Sequence, residues 1–141
     1  MTQPPSAPPG SALPASVTVL VVDDSKLARA VAVRLLRQLR PDWAVREAAN
    51  ADEALGAMAG QPVDVALLDF NMPGKDGLAL AAELRAARPG MPIAVVSANI
   101  QDEVIARARS VEAAFLPKPL TGEALAGFLS GAALRLRRGV P

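Results

Sequence analysis

The chain has 141 residues, of which 51% are hydrophobic and 21% are charged, so it is long enough for one domain with a substantial core. The absence of cysteine and histidine excludes disulfides, thiolate zinc sites and imidazole-based catalysis, and leaves carboxylates, hydroxyls, amines and a hard metal ion for any chemistry. The net charge of +1, without a clustered basic footprint, gives no case for nucleic-acid binding.

Residues 1–16 are rich in proline, serine, glycine and alanine, which predicts a disordered leader. They lack the basic start and the apolar core of a signal peptide. No segment approaches the roughly 20 apolar residues of a membrane span. We therefore expect one domain over residues 17–138, a short tail at 139–141, and a cytoplasmic location without membrane contact.

The first apolar run, Val17–Val22, predicts a buried strand. Ser25 can cap the helix that follows, which carries an apolar face at helical spacing and stops at Pro41. That face consists of Leu27, Val31, Leu35 and Leu39. Ala44–Ala48 predicts a weak edge strand, and a short helix opens after it at Asn50.

Val63–Leu68 predicts the third strand, and a loop of turn residues leads from it to a helix over Leu78–Ala87. Ile93–Val96 predicts the fourth strand, and Asp102–Arg109 a short helix after it. Ala113–Leu116 predicts the fifth strand, which precedes a last helix. The inward face of that helix is expected to consist of Leu125, Phe128, Leu129, Ala132 and Leu136.

Five strand–helix units predict an α/β fold with a doubly wound, five-stranded parallel sheet and helices on both faces. The small size and the right-handed crossover rule favour the strand order 2-1-3-4-5. Ligands bind such sheets at the carboxyl ends of the strands, at the switch point between strands 1 and 3. The polar residues at those ends are Asp23, Asp24, Asp69, Ser97 and Lys118.

Three carboxylates would meet at that edge of the sheet. At a separation of about 5 Å and an effective dielectric near 20, each ionised pair costs roughly 3 kcal/mol. Mg²⁺ relieves this repulsion because it binds oxygen ligands. One carboxylate can then act as a nucleophile towards phosphorus and form an acyl phosphate. Lys118 would offer a charge to one phosphoryl oxygen, and Ser97 a hydrogen-bond donor to another.

These residues lie in motifs that resemble the receiver domain of two-component response regulators, over Val17 to about Arg138. The resemblance implies a flavodoxin-like receiver fold similar to that of the chemotaxis regulators. Its most specific parts are the segment around Asp69 and the Lys-Pro pair. The matching motifs are Val-Val-Asp23-Asp24-Ser25, Leu-Leu-Asp69-Phe-Asn71-Met-Pro73-Gly-Lys-Asp76-Gly77, Ser97-Ala98 and Phe115-Leu-Pro-Lys118-Pro119.

The resemblance implies that Asp69 is the phosphoacceptor and takes its phosphoryl group from a histidine kinase or a histidine phosphotransfer protein. It also implies a Mg²⁺ site formed by Asp69, by Asp24 directly and by Asp23 mainly through water. The backbone carbonyl of Asn71 would complete the protein ligands of the metal.

The resemblance further implies that Ser97, Ala98 and Lys118 bind the phosphoryl group. Ser97 and Phe115 would form a switch pair, in which the hydroxyl moves to the phosphate and the ring turns inward behind it. Pro119 would have a structural role after a cis peptide bond. Ser97 is often threonine in the family and Phe115 is often tyrosine, and a phenylalanine has no phenolic hydroxyl to offer a partner.

The sequence therefore predicts a signalling switch with slow self-dephosphorylation, not an enzyme. Phosphorylation would change binding of a downstream protein target through the face of the fourth helix, fifth strand and fifth helix, or the group would be relayed onward. Little chain follows the last helix, so we expect a single-domain regulator that is monomeric or dimerises on phosphorylation.

Two other functions stay open. One is a small Mg²⁺-dependent phosphatase with an aspartyl nucleophile. Such enzymes typically need a second carboxylate two residues after the nucleophile, where this chain has Asn71. The other is a receiver-like binding module that is never phosphorylated, and the presence of every acceptor-site residue speaks against it.

Overall fold

The computed structural model describes residues 16–137, so the predicted leader, except Ser16, and the predicted tail at 139–141 lie outside the described residues. The strands are β1 (Thr18–Val22), β2 (Ala44–Ala48), β3 (Val65–Asp69), β4 (Ile93–Ser97) and β5 (Ala114–Pro117). The helices are α1 (Lys26–Leu39), α2 (Ala51–Gly60), α3 (Gly77–Ala87), α4 (Asp102–Ser110) and α5 (Gly122–Arg137). None of the described helices is both long and apolar enough to cross a membrane.

The sheet is parallel throughout and has the order β2-β1-β3-β4-β5, which confirms the predicted α/β fold and strand order. β2 is an edge strand, as predicted. The third strand starts two residues later than predicted. Val63 is fully buried, but Asp64 next to it bonds to Thr18 through both its side chain and its backbone before the ladder begins.

Side chains alternate between the two faces of the sheet and form two core clusters. One cluster, which includes Leu20, Leu68 and Val95, lies beneath α2, α3 and α4. The other, which includes Val21 and Leu67, lies beneath α1 and α5. The two packed faces hold the strands rigidly, and the carboxyl ends of the strands are left free for a site.

The apolar face predicted for α1 packs on the sheet only in its second half. Leu35 and Leu39 are half-buried against the cluster that includes Val21 and Leu67. Ala32, Val33 and Leu36 are buried, whereas Leu27 is 76% exposed and Val31 is 48% exposed. The helix has two adjacent apolar rows at similar spacing, so periodicity alone does not show which of these residues are buried. In α5, the predicted inward residues Leu125, Leu129 and Ala132 are buried. The other two, Phe128 and Leu136, are half-buried.

Arg85, near the end of α3, holds together the end of the sheet opposite to the carboxyl ends of the strands. Its Nη1 donates to the carbonyls of Pro89 at 2.8 Å and Met91 at 2.7 Å. Nε donates to Val111 at 3.1 Å, and Nη2 to Glu112 at 2.9 Å, in the turn between α4 and β5. Burial lowers the pKa of Arg85, and these carbonyls compensate the cost of burying its charge.

We predict that Arg85→Ala lowers the free energy of unfolding by roughly 2 kcal/mol, because several carbonyls lose their donor together. Chemical denaturation measures this effect. Arg88→Ala is the control, since Arg88 is exposed and its side chain makes no hydrogen bond in the described chain. That variant should change stability by less than about 0.5 kcal/mol. Equal stability of the two variants would contradict the structural role of Arg85.

Candidate functional site

Three carboxylates meet at the carboxyl ends of β1 and β3. One oxygen from each of Asp23, Asp24 and Asp69 lies within 4.8 Å of the others. Asp69 is the last residue of β3, while Asp23 and Asp24 directly follow β1. These two strands are neighbours in the sheet, so their ends bring the three side chains together. The switch point thus has the acidic cluster that the strand order predicted.

Asp69 is the most buried of the three carboxylates, with only 4% of the residue exposed. Lys118 Nζ lies 2.6 Å from Asp69 Oδ1. Apart from this ion pair, Asp69 Oδ1 has no hydrogen-bond partner among the described residues. A buried carboxylate oxygen that meets one ammonium and no backbone N–H keeps lone-pair capacity for a further ligand.

This donor set fits a hard divalent cation. Three ionised carboxylates beside one ammonium leave a net charge of −2, which Mg²⁺ would neutralise. The site offers oxygen ligands only, and Asp69 Oδ1, although paired with Lys118, has a further lone pair for a cation. Asp24 is exposed, which leaves room on the outer side for the waters that Mg²⁺ retains.

Burial raises the pKa of the Asp23 carboxyl above its ordinary value, and the negative charges of Asp69 and Asp24 act in the same direction. Two interactions oppose the rise in pKa. The backbone N–H of Ser25 donates to Asp23 Oδ1 at 2.9 Å, and the positive charge of Lys118 is close by. Asp23 is therefore an acid that ionises less readily than usual while no cation is bound.

Close packing fixes the backbone around Asp69. The Gly77 N–H, at the start of α3, donates to the Phe70 carbonyl at 2.9 Å. A Cβ at Gly77 would lie 2.2 Å from the Asp69 backbone oxygen, so only glycine fits here. Asp76 caps α3 through the N–H of Ala79 at 2.8 Å. Gly77 belongs to one of the sequence motifs, but its close approach to the Asp69 backbone could not be predicted from the sequence.

The hydroxyl and aromatic residues lie on the next two strands. Ser97 is fully buried at the end of β4, and its Oγ accepts a hydrogen bond from the Asn99 N–H at 2.9 Å. It makes no hydrogen bond with Asp69 within the described residues. Phe115 is partly buried and pairs in register with Val95. Since Ser97 is two residues after Val95, Ser97 and Phe115 lie on the same face of the sheet.

The remaining predicted residues lie in the loops around the acidic cluster. Asn71 is exposed in the loop after β3, and Ala98 is exposed directly after β4. The Lys118–Pro119 peptide bond is cis, as the resemblance implied. The Lys118 N–H donates to the Ser97 carbonyl at 3.0 Å, which ties this loop to the end of β4.

A cleft of about 320 Å³ opens beside Asp69. Its apolar wall includes Leu27 and Val31 of α1, together with Pro119 and Leu120. Sequence reasoning missed this wall, because it treated the two α1 residues as part of one apolar face with Leu35 and Leu39. An apolar wall next to a buried carboxylate gives a ligand a surface to contact.

A flavodoxin-like sheet with a carboxylate cluster at its switch point places the chain among the doubly wound α/β proteins with an acidic site. The sequence pattern of the response regulator receiver domain matches residues 19–129, so the chain belongs to this family. It is a receiver domain of two-component response regulators, a family of signalling switches that bind Mg²⁺ at acidic residues.

Known relatives agree with this assignment. The chain is 40% identical over 119 residues to the positive alginate biosynthesis regulatory protein of Pseudomonas aeruginosa, covering 82% of this chain and 47% of that protein. It is 38% identical over 120 residues to the sensor kinase CckA of Brucella abortus, covering 81% of this chain and 12% of the kinase. The chain thus spans about half or less of these relatives.

The structure resembles that of the chemotaxis protein CheY4 of Vibrio cholerae, with a TM-score of 0.76 at 28% sequence identity. The similarity covers 84% of this chain and 99% of CheY4. Nearly all of the compared protein is therefore contained in the fold described above.

Asp23→Asn tests the electrostatics of the site. Since the folded-state pKa of Asp23 is raised above its unfolded value, the folded protein binds the proton more tightly. The cation-free wild type therefore loses stability as pH rises from about 3.8 through the raised pKa. We predict that Asp23→Asn is more stable than wild type at pH 7 without Mg²⁺, by on the order of 1 kcal/mol, and that this advantage shrinks towards pH 4.

Urea denaturation in a chelator across this pH range measures the difference between variant and wild type. Asp42→Asn is the control with the same change in charge, since Asp42 is exposed and its side chain makes no hydrogen bond in the described chain. A gain that is equal in both variants, or that does not depend on pH, would contradict the raised pKa of Asp23.

Proposed function

We propose that this chain is a phosphorylation switch in which Asp69 accepts a phosphoryl group from a histidine kinase or a histidine phosphotransfer protein, with Mg²⁺ as cofactor. One observation carries the proposal: the buried Asp69 carboxylate lies in an acidic cluster, and its Oδ1 is 2.6 Å from the Lys118 ammonium with no other hydrogen-bond partner among the described residues. A purely structural aspartate at a strand end would have its oxygens bonded by backbone donors.

In the proposed reaction an Asp69 carboxylate oxygen attacks phosphorus and forms an acyl phosphate, while the bond from phosphorus to the donor nitrogen breaks. Strand pairing and the contact with Gly77 hold Asp69 in place for this attack. Asp23, Asp24, Asp69 and the Asn71 carbonyl would hold Mg²⁺. The metal would supply positive charge to the transferring group.

Lys118, Ser97 and Ala98 are the proposed partners of the phosphoryl oxygens. Lys118 already lies against Asp69 and would follow the charge from the carboxylate to the phosphoryl group. The Ser97 Oγ accepts a bond from Asn99, so its own proton is available for donation. Ala98 is exposed next to it, and we propose its backbone N–H as a further donor.

Movement of Ser97 towards the phosphate would transmit the signal. Ser97 and Phe115 share a face of the sheet, so a shift of the hydroxyl changes the space into which the partly buried ring can turn. The surface of α4, β5 and α5 would then present a different shape to a downstream protein, or Asp69 would pass the group onward in a relay. The partner is a protein; the chain shows no basic footprint for nucleic acid.

The test is phosphorylation by acetyl phosphate in the presence of Mg²⁺, followed by intact-mass measurement. We predict that the wild type gains the mass of one phosphoryl group and loses it slowly after the donor is removed. Asp69→Asn should gain nothing, because an amide oxygen is a poor nucleophile. Asp42→Asn removes an exposed carboxylate of equal charge and should behave as the wild type.

Two outcomes would contradict the proposal. A wild type that gains no mass at any Mg²⁺ concentration would favour a binding module that is not phosphorylated. Rapid multiple-turnover release of phosphate from unrelated phosphoesters would favour a phosphatase instead.

A further inference from the structure

Arg29 is a partly buried guanidinium next to the acidic cluster, yet it bonds none of the cluster's carboxylates within the described chain. Its side chain is 16% exposed, on the first turns of α1. Nη1 donates to the backbone carbonyl of Asp23 at 2.6 Å. Nε donates to Glu47 Oε1 of β2 at 3.1 Å. The guanidinium therefore joins the loop after β1 to the edge strand.

The carbonyl that Arg29 binds belongs to the peptide unit that links Asp23 to Asp24. The orientation of that unit sets the direction in which both side chains leave the backbone. Two backbone bonds hold the flanks of the unit: Asp23 N–H to the Ala48 carbonyl at 3.1 Å, and Arg29 N–H to the Ser25 carbonyl at 2.9 Å. Within the described residues, the Arg29 guanidinium is the side chain that binds the unit's own carbonyl.

Glu47 explains why Arg29 does not pair with the cluster instead. A free guanidinium beside several carboxylates would form bidentate ion pairs with them, and those pairs would compete with a metal ion. Here Glu47 accepts a hydrogen bond from Nε and the Asp23 carbonyl accepts one from Nη1, so these two guanidinium donors are already engaged. The carboxylate oxygens of Asp23 and Asp24 are left free of this cation.

We propose that Arg29 is a positioning residue for the metal site: it orients the Asp23–Asp24 peptide unit so that both carboxylates point at the cation, and Glu47 fixes the orientation of Arg29. The inference rests on the proposed function, because it presumes that the acidic cluster binds Mg²⁺. If this inference is correct, residues of α1 and β2 that lie outside the acidic motif also determine the affinity for Mg²⁺. Groups in such a supporting position typically contribute 10- to 100-fold to metal affinity.

The direction in which the dissociation constant for Mg²⁺ changes distinguishes a positioning role of Arg29 from a purely electrostatic one. Arg29→Ala removes a positive charge near the site, which by electrostatics alone would strengthen Mg²⁺ binding. Positioning predicts the opposite, a dissociation constant about tenfold higher. Arg29→Lys keeps the charge but lacks the fork that bonds the Asp23 carbonyl and Glu47 together, so it too should bind Mg²⁺ more weakly than wild type.

Arg34→Ala is the matched control, because Arg34 lies on the same helix, is exposed, and has no side-chain hydrogen bond or ion pair in the described chain. Its dissociation constant for Mg²⁺ should stay within about twofold of the wild-type value at physiological salt. Titration of each protein with MgCl₂, followed by amide NMR of residues 23–25, gives the constants. Urea denaturation in a chelator reports in parallel whether each variant is folded.

An Arg29→Ala variant that is folded and binds Mg²⁺ as tightly as wild type, or more tightly, would overturn the inference and leave the proposed function intact. So would an Arg29→Lys variant with wild-type affinity, since charge would then suffice. A wild-type protein without saturable Mg²⁺ binding would contradict the proposed function, and the inference would fall with it.

Discussion

Mutual repulsion among three carboxylates is the constraint on which the rest of the structure depends. Their oxygens lie within 4.8 Å of one another, and at an effective dielectric near 20 each ionised pair costs roughly 3 kcal/mol. Asp69 cannot withdraw, because β3 is paired on both sides. Asp23 is tied to Ala48 and Ser25 through hydrogen bonds. The packed sheet thus maintains an unfavourable charge arrangement at one edge, which a divalent cation would relieve.

Buried charged side chains have different hydrogen-bond partners at the two ends of the sheet. At one end, the Arg85 guanidinium is surrounded by carbonyls, so its donors are satisfied and its role is structural. At the other end, Asp69 Oδ1 is paired with the Lys118 ammonium and has no other hydrogen-bond partner within the described residues. The remaining acceptor capacity of Asp69 lies in the acidic cluster, and receiver domains bind Mg²⁺ at acidic residues.

The fold and the carboxylate cluster could be predicted from sequence, because apolar runs mark buried parallel strands and strand order decides which strand ends meet. Contacts that depend on how a helix is rotated could not. Leu27 and Val31 have the same spacing as a buried row, yet they line the cleft. Arg29 and Arg85 bind backbone carbonyls, which have no signature in the side-chain pattern. The close approach of Gly77 to Asp69 likewise exists only once the loop is folded.

The most direct test of the central claim is the gain in stability on adding Mg²⁺. Unfolding free energies would be measured by urea denaturation in a chelator and in excess MgCl₂, at constant ionic strength and neutral pH. If Mg²⁺ relieves the repulsion, the wild type gains about 2.7 kcal/mol at a free concentration one hundred times the dissociation constant, and Asp69→Asn gains much less at the same concentration. An unchanged wild type, or an equal gain in both proteins, would contradict the account.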